Sequence, residues 1–317
     1  MNLHTDKEFK ALLISILKKA DHIEGSETLT LTPHHFITVG GKPSSHYRIN
    51  CGRKKFFLKS VKDNDNTVFC LPYLQGLNRK YGTNKFPESL TQSFTYKDRE
   101  FYVLEYMEGE TLEELDKSLT EEEWQFATKE LKNRLNELHT CTSDRYSDKA
   151  EFYSESFGKR LSDKFTERLN NRVFTQFSAA KLNTTLSVCK QILSKVKFPK
   201  AHLIHMDVKP ANIIFNRKDR KLYLIDFENS RFCDEDFGKV QVLLTAYKDY
   251  PDSYKKFILP QIADGFTEES TVKNDKCLCY LYYQTICNLI YFDSRNLPGT
   301  KAMSNLFVKL MNLISNR

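Results

Sequence analysis

Five polar side chains near the middle of the chain have the types and the order that phosphoryl transfer from ATP requires. They are His205, Asp207, Lys209, Asn212 and Asp226. In this reaction one carboxylate orients the acceptor hydroxyl, while an amide and a second carboxylate hold the metal ions on the phosphates. The set therefore indicates phosphotransferase chemistry that uses ATP and Mg²⁺.

The residues between Asn212 and Asp226 predict a β-hairpin. Residues 213–215 and 222–225 are short apolar runs, and the polar run 216–221 separates them. Two β-prone runs around a polar turn are typical of a hairpin. Because Asn212 enters this hairpin and Asp226 leaves it, both side chains can face one metal ion. An ordinary surface hairpin with scattered charges is the alternative.

This stretch resembles the protein-kinase-like superfamily, whose catalytic loop reads His-x-Asp-x-Lys-Pro-x-Asn and whose metal-binding strand ends in Asp-Phe-Gly or Asp-Phe-Glu. Here the loop contains His205, Asp207, Lys209 and Asn212, and Asp226 is followed by Phe and Glu. The resemblance implies that Asp207 orients the acceptor hydroxyl and that Lys209 offsets charge on the transferred phosphoryl group. It also implies that Asn212 and Asp226 bind Mg²⁺. His205 is expected to brace the loop by hydrogen bonds.

The resemblance further implies an α+β, bilobal protein-kinase-like fold, with a small antiparallel-sheet N-lobe and a larger, mainly helical C-lobe. A chain of 317 residues is long for one compact core, which agrees with two lobes. The expected divisions are an N-terminal helix packed on the N-lobe (1–27), the N-lobe with the ATP-binding strands and the hinge (28–108), and the C-lobe (109–317), which includes a helical insertion (141–200) and C-terminal helices.

Ligands for ATP are expected on three elements of the first lobe. The first is a loop between strand-like segments that contains Gly40, Gly41, Ser44 and Ser45. Backbone amides of such a loop can cover phosphates, although Gly-Gly is also a common hairpin turn. Lys59 stands where the superfamily's third strand carries the lysine that contacts the α- and β-phosphates. Backbone groups from Glu105 to Met107 resemble the hinge that binds adenine in aminoglycoside and choline kinases.

The glutamate that orients this lysine in the superfamily has no clear counterpart in the sequence. The segment 63–79 contains no glutamate, and Pro72 is expected to interrupt it. The candidates that could take its place are Asp63, Asp65, Gln75 and the more distant Glu88. The sequence therefore leaves the partner of Lys59 open.

Apolar residues recur at helical spacing in several segments. These are residues 6–20, 120–138, 157–171, 179–196 and 278–292. Thr120 and Glu123 predict a capping box at the start of the second segment. The last segment falls short of the roughly 20 apolar residues that a membrane-spanning helix needs. We therefore expect it to form a buried helix of the C-lobe.

The distance between the predicted helix 120–138 and the catalytic loop separates branches of the superfamily. Sixty-five positions lie between His139 and His205, whereas in eukaryotic-type protein kinases the loop follows the corresponding helix almost at once. The long insertion and the Asp-Phe-Glu ending resemble the aminoglycoside phosphotransferase and choline kinase group, in which inserted helices help to build the acceptor pocket. Lys209, in contrast, is typical of protein serine/threonine kinases.

We therefore expect a kinase that transfers the γ-phosphoryl group of ATP to a hydroxyl acceptor, with a small molecule favoured over a protein. An atypical protein serine/threonine kinase and a catalytically inactive nucleotide-binding pseudokinase are the alternatives. No motif indicates nucleic-acid binding. The net charge of +7 would attract an anionic acceptor or surface, but a lysine-rich solvated surface is the favoured explanation.

The eight cysteines show no CxxC pair and no His-rich partner spacing, which argues against a zinc site. Because the N-terminal residues do not resemble a secretion signal, we expect a cytoplasmic protein with reduced, mostly buried thiols. The sequence leaves open the identity of the acceptor, the choice between ATP and GTP, and the oligomeric state.

Overall fold

The computed structural model describes residues 3–24, 28–33, 46–61, 66–82, 84–148, 151–198, 200–244, 250–263 and 267–317. The chain forms two compact units. Unit 1 comprises Met1–Glu114 and Ala211–Asn229, and unit 2 comprises Leu115–Pro210 and Ser230–Arg317. The chain passes from unit 2 to unit 1 between Pro210 and Ala211, which lies within the predicted catalytic loop. The lobe boundaries expected from the sequence stay predictions.

Helices and short strands alternate along the chain. The helices are α1 (Lys7–Lys19), α2 (Thr67–Tyr81), α3 (Leu112–Leu115), α4 (Glu121–His139), α5 (Phe157–Leu169), α6 (Ala179–Lys195), α7 (Glu235–Leu243), α8 (Leu259–Ile262), α9 (Glu268–Lys273), α10 (Asp275–Ser294) and α11 (Thr300–Ser315). The strands are β1 (Leu29–Pro33), β2 (Tyr47–Cys51), β3 (Lys54–Ser60), β4 (Phe94–Tyr96), β5 (Arg99–Glu105), β6 (Glu110–Thr111), β7 (Thr142–Ser143), β8 (Tyr146–Asp148), β9 (Glu151–Tyr153), β10 (Ala201–Ile204), β11 (Ile213–Asn216), β12 (Lys221–Leu224) and β13 (Arg231–Cys233).

Unit 1 is built on a five-stranded antiparallel sheet in the order β1-β2-β3-β5-β4. Burial alternates along β2, as expected for a sheet with one covered face. Helix α1 begins after Asp6, whose carboxylate accepts a hydrogen bond from the Phe9 amide. Phe9, Leu13 and Leu17 of this helix pack into the apolar core that β1, β2, β3 and β5 form. The helix predicted for residues 6–20 is thus present.

Helix α2 runs through Pro72, which corrects the expectation that this proline interrupts the segment. Proline removes the hydrogen bond to the carbonyl group four residues earlier, which belongs to Val68. The Val68 side chain is 40% exposed, so that turn faces water, which can satisfy the carbonyl group. The helix ends at Gly82, whose φ of +62° is the left-handed conformation that commonly terminates helices.

Unit 2 is mainly helical and is centred on α10. This helix buries side chains over most of its circumference, including Tyr280, Tyr282 and Thr285, and it packs against α5, α6, α7, α9 and α11. A helix that is apolar all round belongs in a protein core. The prediction of a buried helix over residues 278–292 is confirmed. The helices predicted for residues 157–171 and 179–196 are also present, as α5 and α6.

Two small sheets in unit 2 were not predicted from the sequence. One has the order β13-β10-β7, and the other pairs β8 with β9. The amide of Phe232 in β13 donates a 2.8 Å hydrogen bond to the Ser147 hydroxyl in β8, which ties the two sheets together. Strand β10 leads directly into the predicted catalytic loop.

A small antiparallel-sheet unit and a larger, mainly helical unit confirm the predicted α+β, protein-kinase-like fold. Among the helices of the described residues, none is both long and apolar enough to cross a lipid bilayer.

Candidate active site

The predicted hairpin is present in unit 1 and places Asn212 beside Ile225, the residue before Asp226. Strands β11 and β12 pair antiparallel, with Ile213 opposite Leu224. One step further, the Ile225 amide donates a 3.0 Å hydrogen bond to the Asn212 carbonyl oxygen. Asn212 is buried, and Asp226 follows at the same end of the hairpin. The two predicted Mg²⁺ ligands therefore lie at one end of one element.

Asp226 has an unusual backbone conformation. Its φ is +64°, a left-handed value that costs energy for any residue other than glycine, although aspartate tolerates it better than most. Residues held in this way are common at functional sites because the surrounding structure imposes the conformation. Its carboxylate accepts a 3.0 Å hydrogen bond from Lys59, and the side chain keeps 28% exposure. A ligand can therefore still reach the carboxylate.

Lys59 lies in the central strand β3 and points to two oxygen atoms of unit 1. Its ammonium group donates to the Thr67 hydroxyl at 2.9 Å and to Asp226 Oδ1 at 3.0 Å. Only 4% of its side chain is exposed. Thr67 is the first residue of α2, the helix that follows β3 along the chain.

Two of the other candidate partners of Lys59 make hydrogen bonds elsewhere in unit 1. Gln75 donates to the Ser89 carbonyl oxygen at 3.5 Å, and Glu88 accepts a 2.9 Å hydrogen bond from Asn78. The remaining two candidates lie outside the described residues, and they are Asp63 and Asp65. The predicted phosphate loop also lies outside the described residues, with Gly40, Gly41, Ser44 and Ser45.

The predicted hinge follows strand β5 in unit 1. The Glu105 amide donates to the Glu88 carbonyl oxygen at 2.9 Å, so this N–H group is already used within the protein. Burial raises the pKa of Glu105, whose carboxylate accepts a hydrogen bond from Asn84. Met107 is buried. The binding of adenine by backbone groups from Glu105 to Met107 stays a prediction.

In unit 2, the acceptor-side residues form a compact hydrogen-bonded group. Lys209 donates to Asp207 Oδ2 at 2.8 Å, and both side chains are partly exposed. The Asp207 amide donates to His205 Nδ1 at 3.3 Å. His205 is fully buried, and its carbonyl oxygen accepts a 3.0 Å hydrogen bond from the Ser230 hydroxyl. This arrangement fits a bracing role for His205, because a buried ring that bonds the loop backbone is badly placed to exchange protons with a substrate.

Two further side chains of unit 2 hold the loop, and sequence reasoning missed both. Gln241 donates to the Met206 carbonyl oxygen at 2.6 Å, and Tyr254 donates to the Val208 carbonyl oxygen at 2.9 Å. Burial raises the pKa of Tyr254 well above its usual value, so the phenol keeps the proton that it donates. Met206 itself has a φ of +63°. Backbone bonds on both sides of Asp207 thus fix its direction.

A cavity of about 50 Å³ borders this loop within unit 2. Its wall is mostly apolar, with Met206 and Val208 from the loop and Val242 from α7, and Asp207 and Lys239 supply polar groups. A space of this size holds a few water molecules. The side of the loop that carries Asp207 is therefore not fully packed.

The side chains of unit 1 fit a nucleotide-bound Mg²⁺ ion. Magnesium prefers oxygen ligands, and in nucleotide enzymes it takes one or two from the protein and the rest from phosphates and water. The Asp226 carboxylate and the Asn212 amide oxygen match that requirement. Among the described residues, no three His, Cys, Asp or Glu side chains converge to make a closed metal site. The donor set thus suits an ion that arrives with its nucleotide.

Comparison with known proteins agrees with the predicted family group. Residues 85–239 match the model of the phosphotransferase enzyme family, APH. The fold is similar to that of aminoglycoside phosphotransferase APH(4)-Ia, with a TM-score of 0.64 at 11% identity over 96% of this chain and 98% of that one. A thermostable mutant of that enzyme, solved as a ternary complex with AMP-PNP and hygromycin B, gives a TM-score of 0.63 at 12% identity over 94% of this chain and 98% of that one.

Choline kinase LicA from Streptococcus pneumoniae is also similar, with a TM-score of 0.54 at 15% identity over 98% of this chain and 100% of that one. At these identities the solved structures show the shared fold. Together with the family match, they agree with the predicted resemblance to the aminoglycoside phosphotransferase and choline kinase group.

Proposed function

We propose that this chain, whose fold is that of the protein-kinase-like superfamily, is a kinase that transfers the γ-phosphoryl group of ATP to a hydroxyl group of a small molecule. The observation that carries the proposal is the bond between Lys59 and Asp226. These residues are 167 positions apart, and the resemblance implies that both serve the nucleotide. A surface hairpin with scattered charges would not bring its terminal carboxylate to a buried lysine.

Lys59, Asn212 and Asp226 serve the nucleotide in this proposal. Lys59 contacts the α- and β-phosphates, and its bonds to Thr67 and Asp226 hold its ammonium group in place. Asn212 and Asp226 would hold Mg²⁺. When bound, the ion neutralises charge on the phosphate oxygens. The backbone of Tyr106 and Met107 would bind adenine.

Asp207 and Lys209 serve the transfer itself. The Asp207 carboxylate orients the acceptor hydroxyl and takes its proton as the acceptor oxygen bonds to the γ-phosphorus atom. The bond between that phosphorus atom and the bridging oxygen of ADP breaks in the same reaction. Lys209, which bonds Asp207 in the structure, turns to the transferred phosphoryl group and offsets its charge. His205 keeps the loop in shape.

A small-molecule acceptor is favoured over a protein. Residues 141–200 fold into β7, β8, β9, α5 and α6 within unit 2, the same unit as Asp207. In the resembled group, inserted helices at this position build the acceptor pocket. Solved relatives of that fold are named for aminoglycoside and choline substrates, which are small hydroxyl compounds.

The test is transfer from γ-labelled ATP to a panel of small hydroxyl compounds, with autophosphorylation measured alongside. Asp207→Ala should lower turnover by roughly 10²–10⁴-fold, the usual contribution of such a group, while nucleotide affinity stays near the wild-type value. Asp226→Ala should weaken Mg²⁺-dependent nucleotide binding. Asp144→Ala is the matched control, because this aspartate is also in unit 2 and is 89% exposed.

Unchanged turnover in Asp207→Ala would refute the assignment of that residue. Label that enters only protein would point to the protein-kinase alternative. Nucleotide binding without any transfer in the wild-type chain would identify a pseudokinase.

A further inference from the structure

The positive charge of the chain is concentrated in the predicted insertion. Residues 141–200 hold 12 Lys and Arg residues against six Asp and Glu residues, a net charge of +6, whereas the whole chain carries +7. A lysine-rich solvated surface would spread this surplus over the chain. A surplus confined to one region instead raises the local concentration of anions.

Three basic side chains of unit 2 converge on one buried carboxylate, that of Asp148. Arg231 Nη1 lies 3.3 Å from Asp148 Oδ1, and Arg160 Nη2 lies 3.6 Å from Asp148 Oδ2. Lys164 donates a hydrogen bond to the same Oδ2. Only 8% of the Asp148 side chain is exposed. Three cationic side chains of the described residues thus share one carboxylate.

The pKa shifts in this cluster reflect both burial and the neighbouring charges. Burial would raise the pKa of Asp148, but Lys164 and the two guanidinium groups outweigh it and lower that pKa. The pKa of Lys164 is lowered by burial, and the like charges of Arg231 and Arg160 lower it further against the opposing effect of Asp148. In addition, Arg160 Nε is a buried donor without an acceptor among the described residues.

The cluster lies close to the acceptor-side residues along the chain of unit 2. Arg231 pairs with Ile204 across β13 and β10, and Asp207 is the third residue after Ile204. Three residues span at most about 11 Å. The neighbour of Arg231, Ser230, bonds the carbonyl group of His205. The Cα atom of Asp207 therefore lies within about 11 Å of that of Ile204, the cross-strand neighbour of Arg231.

We propose that Arg160, Lys164 and Arg231 form an anion subsite, which binds a carboxylate or phosphate group of the acceptor whose hydroxyl Asp207 orients. Guanidinium groups suit both anions because their donors are arranged as a planar fork. Lys164 and Arg231 are themselves less than one-third exposed, so the anion would meet partly desolvated partners. This inference rests on the proposed kinase function and specifies its substrate class.

Arg160 is held for this role by an aromatic contact. Its guanidinium carbon lies 5.6 Å from the centroid of the Tyr153 ring, within the range of a cation–π interaction. A purely structural ion-pair network would need only as many positive charges as Asp148 can balance. The convergence of three cationic groups on one carboxylate and the unbonded Arg160 Nε are what that explanation leaves unexplained.

The first experiment measures binding of inorganic phosphate and of glycerate to the full chain by titration calorimetry. The two probes separate a phosphate from a carboxylate preference. Arg160→Gln should weaken binding of the preferred anion by about tenfold, as loss of one charge-assisted hydrogen bond implies. Arg160→Lys should keep most of the affinity. Lys159→Gln is the matched control, because this neighbour on α5 is 64% exposed and should leave binding unchanged.

Asp148→Asn is the decisive second variant because the expected change has the opposite sign. It removes the carboxylate that competes for the three cations, so anion binding should tighten. A structural role of the cluster predicts no such gain. Binding that is unchanged in Arg160→Gln, or equally weakened in Lys159→Gln, would overturn the inference. Anion binding that disappears in Lys59→Met would assign the anion to the nucleotide site and would also overturn it.

Acceptor kinetics keep this inference separable from the proposed function. Glycerate, glycerol and choline all carry a primary hydroxyl but differ in charge. Transfer that prefers the neutral or the cationic compound would refute the anion subsite and leave the kinase intact. Anion binding that responds to the variants as expected, without transfer to any hydroxyl compound, would support the subsite and refute the kinase.

Discussion

Replacing Gly238 with alanine would test how tightly the entrance to the catalytic loop is packed. Gly238 lies in α7, and a methyl group built on it would lie 2.5 Å from Cγ2 of Ile204. Ile204 is the last residue of β10 and directly precedes His205. Its side chain is buried, and its branched Cβ restricts rotation, so it cannot turn away at low cost.

The expected change in stability follows from two opposing effects. Carbon atoms in contact lie roughly 3.5–4.0 Å apart, so the new methyl group must displace β10 or α7 by about 1 Å. Overpacking of this kind costs about 1–3 kcal/mol, whereas alanine stabilises a helix interior by about 1 kcal/mol relative to glycine. The free energy of unfolding of Gly238→Ala should therefore fall by about 0–2 kcal/mol.

Gly76 in α2 provides the matched control, because a methyl group there meets no atom within 4 Å. Gly76→Ala should gain up to about 1 kcal/mol, so the two variants should differ by about 1–3 kcal/mol. Urea denaturation measures both values. Turnover of labelled ATP should also fall in Gly238→Ala by more than the unfolded fraction explains, since the displaced residue leads to His205 and Asp207.

A Gly238→Ala variant that is as stable as Gly76→Ala would refute the packing argument. A double-mutant cycle with Ile204→Ala tests the contact directly. Removal of Cγ2 makes room for the new methyl group, so the two substitutions together should cost less than the sum of each alone.

Three further predictions concern elements of the two units. Thr120→Ala should lower the free energy of unfolding by about 1 kcal/mol, since it removes the capping box that Thr120 forms with Glu123. Thr120→Ser keeps the hydroxyl and should leave the free energy of unfolding unchanged. Equal urea midpoints for the two variants would contradict the prediction. The lowered pKa of Asp148 stabilises the fold above the unfolded value of about 3.9, and that contribution is lost as the pH falls. Asp148→Asn should therefore show a flatter decline of the thermal midpoint between about pH 5 and pH 3 than the wild type, and parallel curves would speak against it. Gly109→Ala should lower the free energy of unfolding by about 2–5 kcal/mol. The reason is that Gly109 has a φ of +138° and that a methyl group there would lie 2.8 Å from the Phe215 carbonyl oxygen. Thermal denaturation would measure this loss, and a loss below about 1 kcal/mol would mean that the backbone around Gly109 adjusts easily.

The parts of the fold that were predictable carry local signals. The hairpin between Asn212 and Asp226 followed from two apolar runs around a polar turn, and its two strands pair antiparallel. The start of α4 followed from the Thr120 side chain and its partner three residues later. In both cases, residues close in sequence determine the geometry by themselves.

The parts that were not predictable depend on residues far apart. Tyr254 holds the catalytic loop through Val208, 46 positions earlier, and no motif marks it. The Thr67 hydroxyl accepts a hydrogen bond from Lys59, a contact that no motif marks. The strands β7, β8 and β9 have two or three residues each, too few for an alternating pattern to stand out.

The division of the chain has a consequence for its synthesis on the ribosome. The first 114 residues include Lys59, but its carboxylate partner Asp226 belongs to the segment Ala211–Asn229, which completes the same unit. The roughly 100 intervening residues take on the order of 5–20 seconds to translate at about 5–20 residues per second. During that interval the nascent unit lacks the hairpin that β6 pairs with and a partner of a buried lysine. The folding of unit 1 is therefore expected to finish only after most of unit 2 has emerged from the ribosome. The two units are thus expected to fold together during translation, not one after the other.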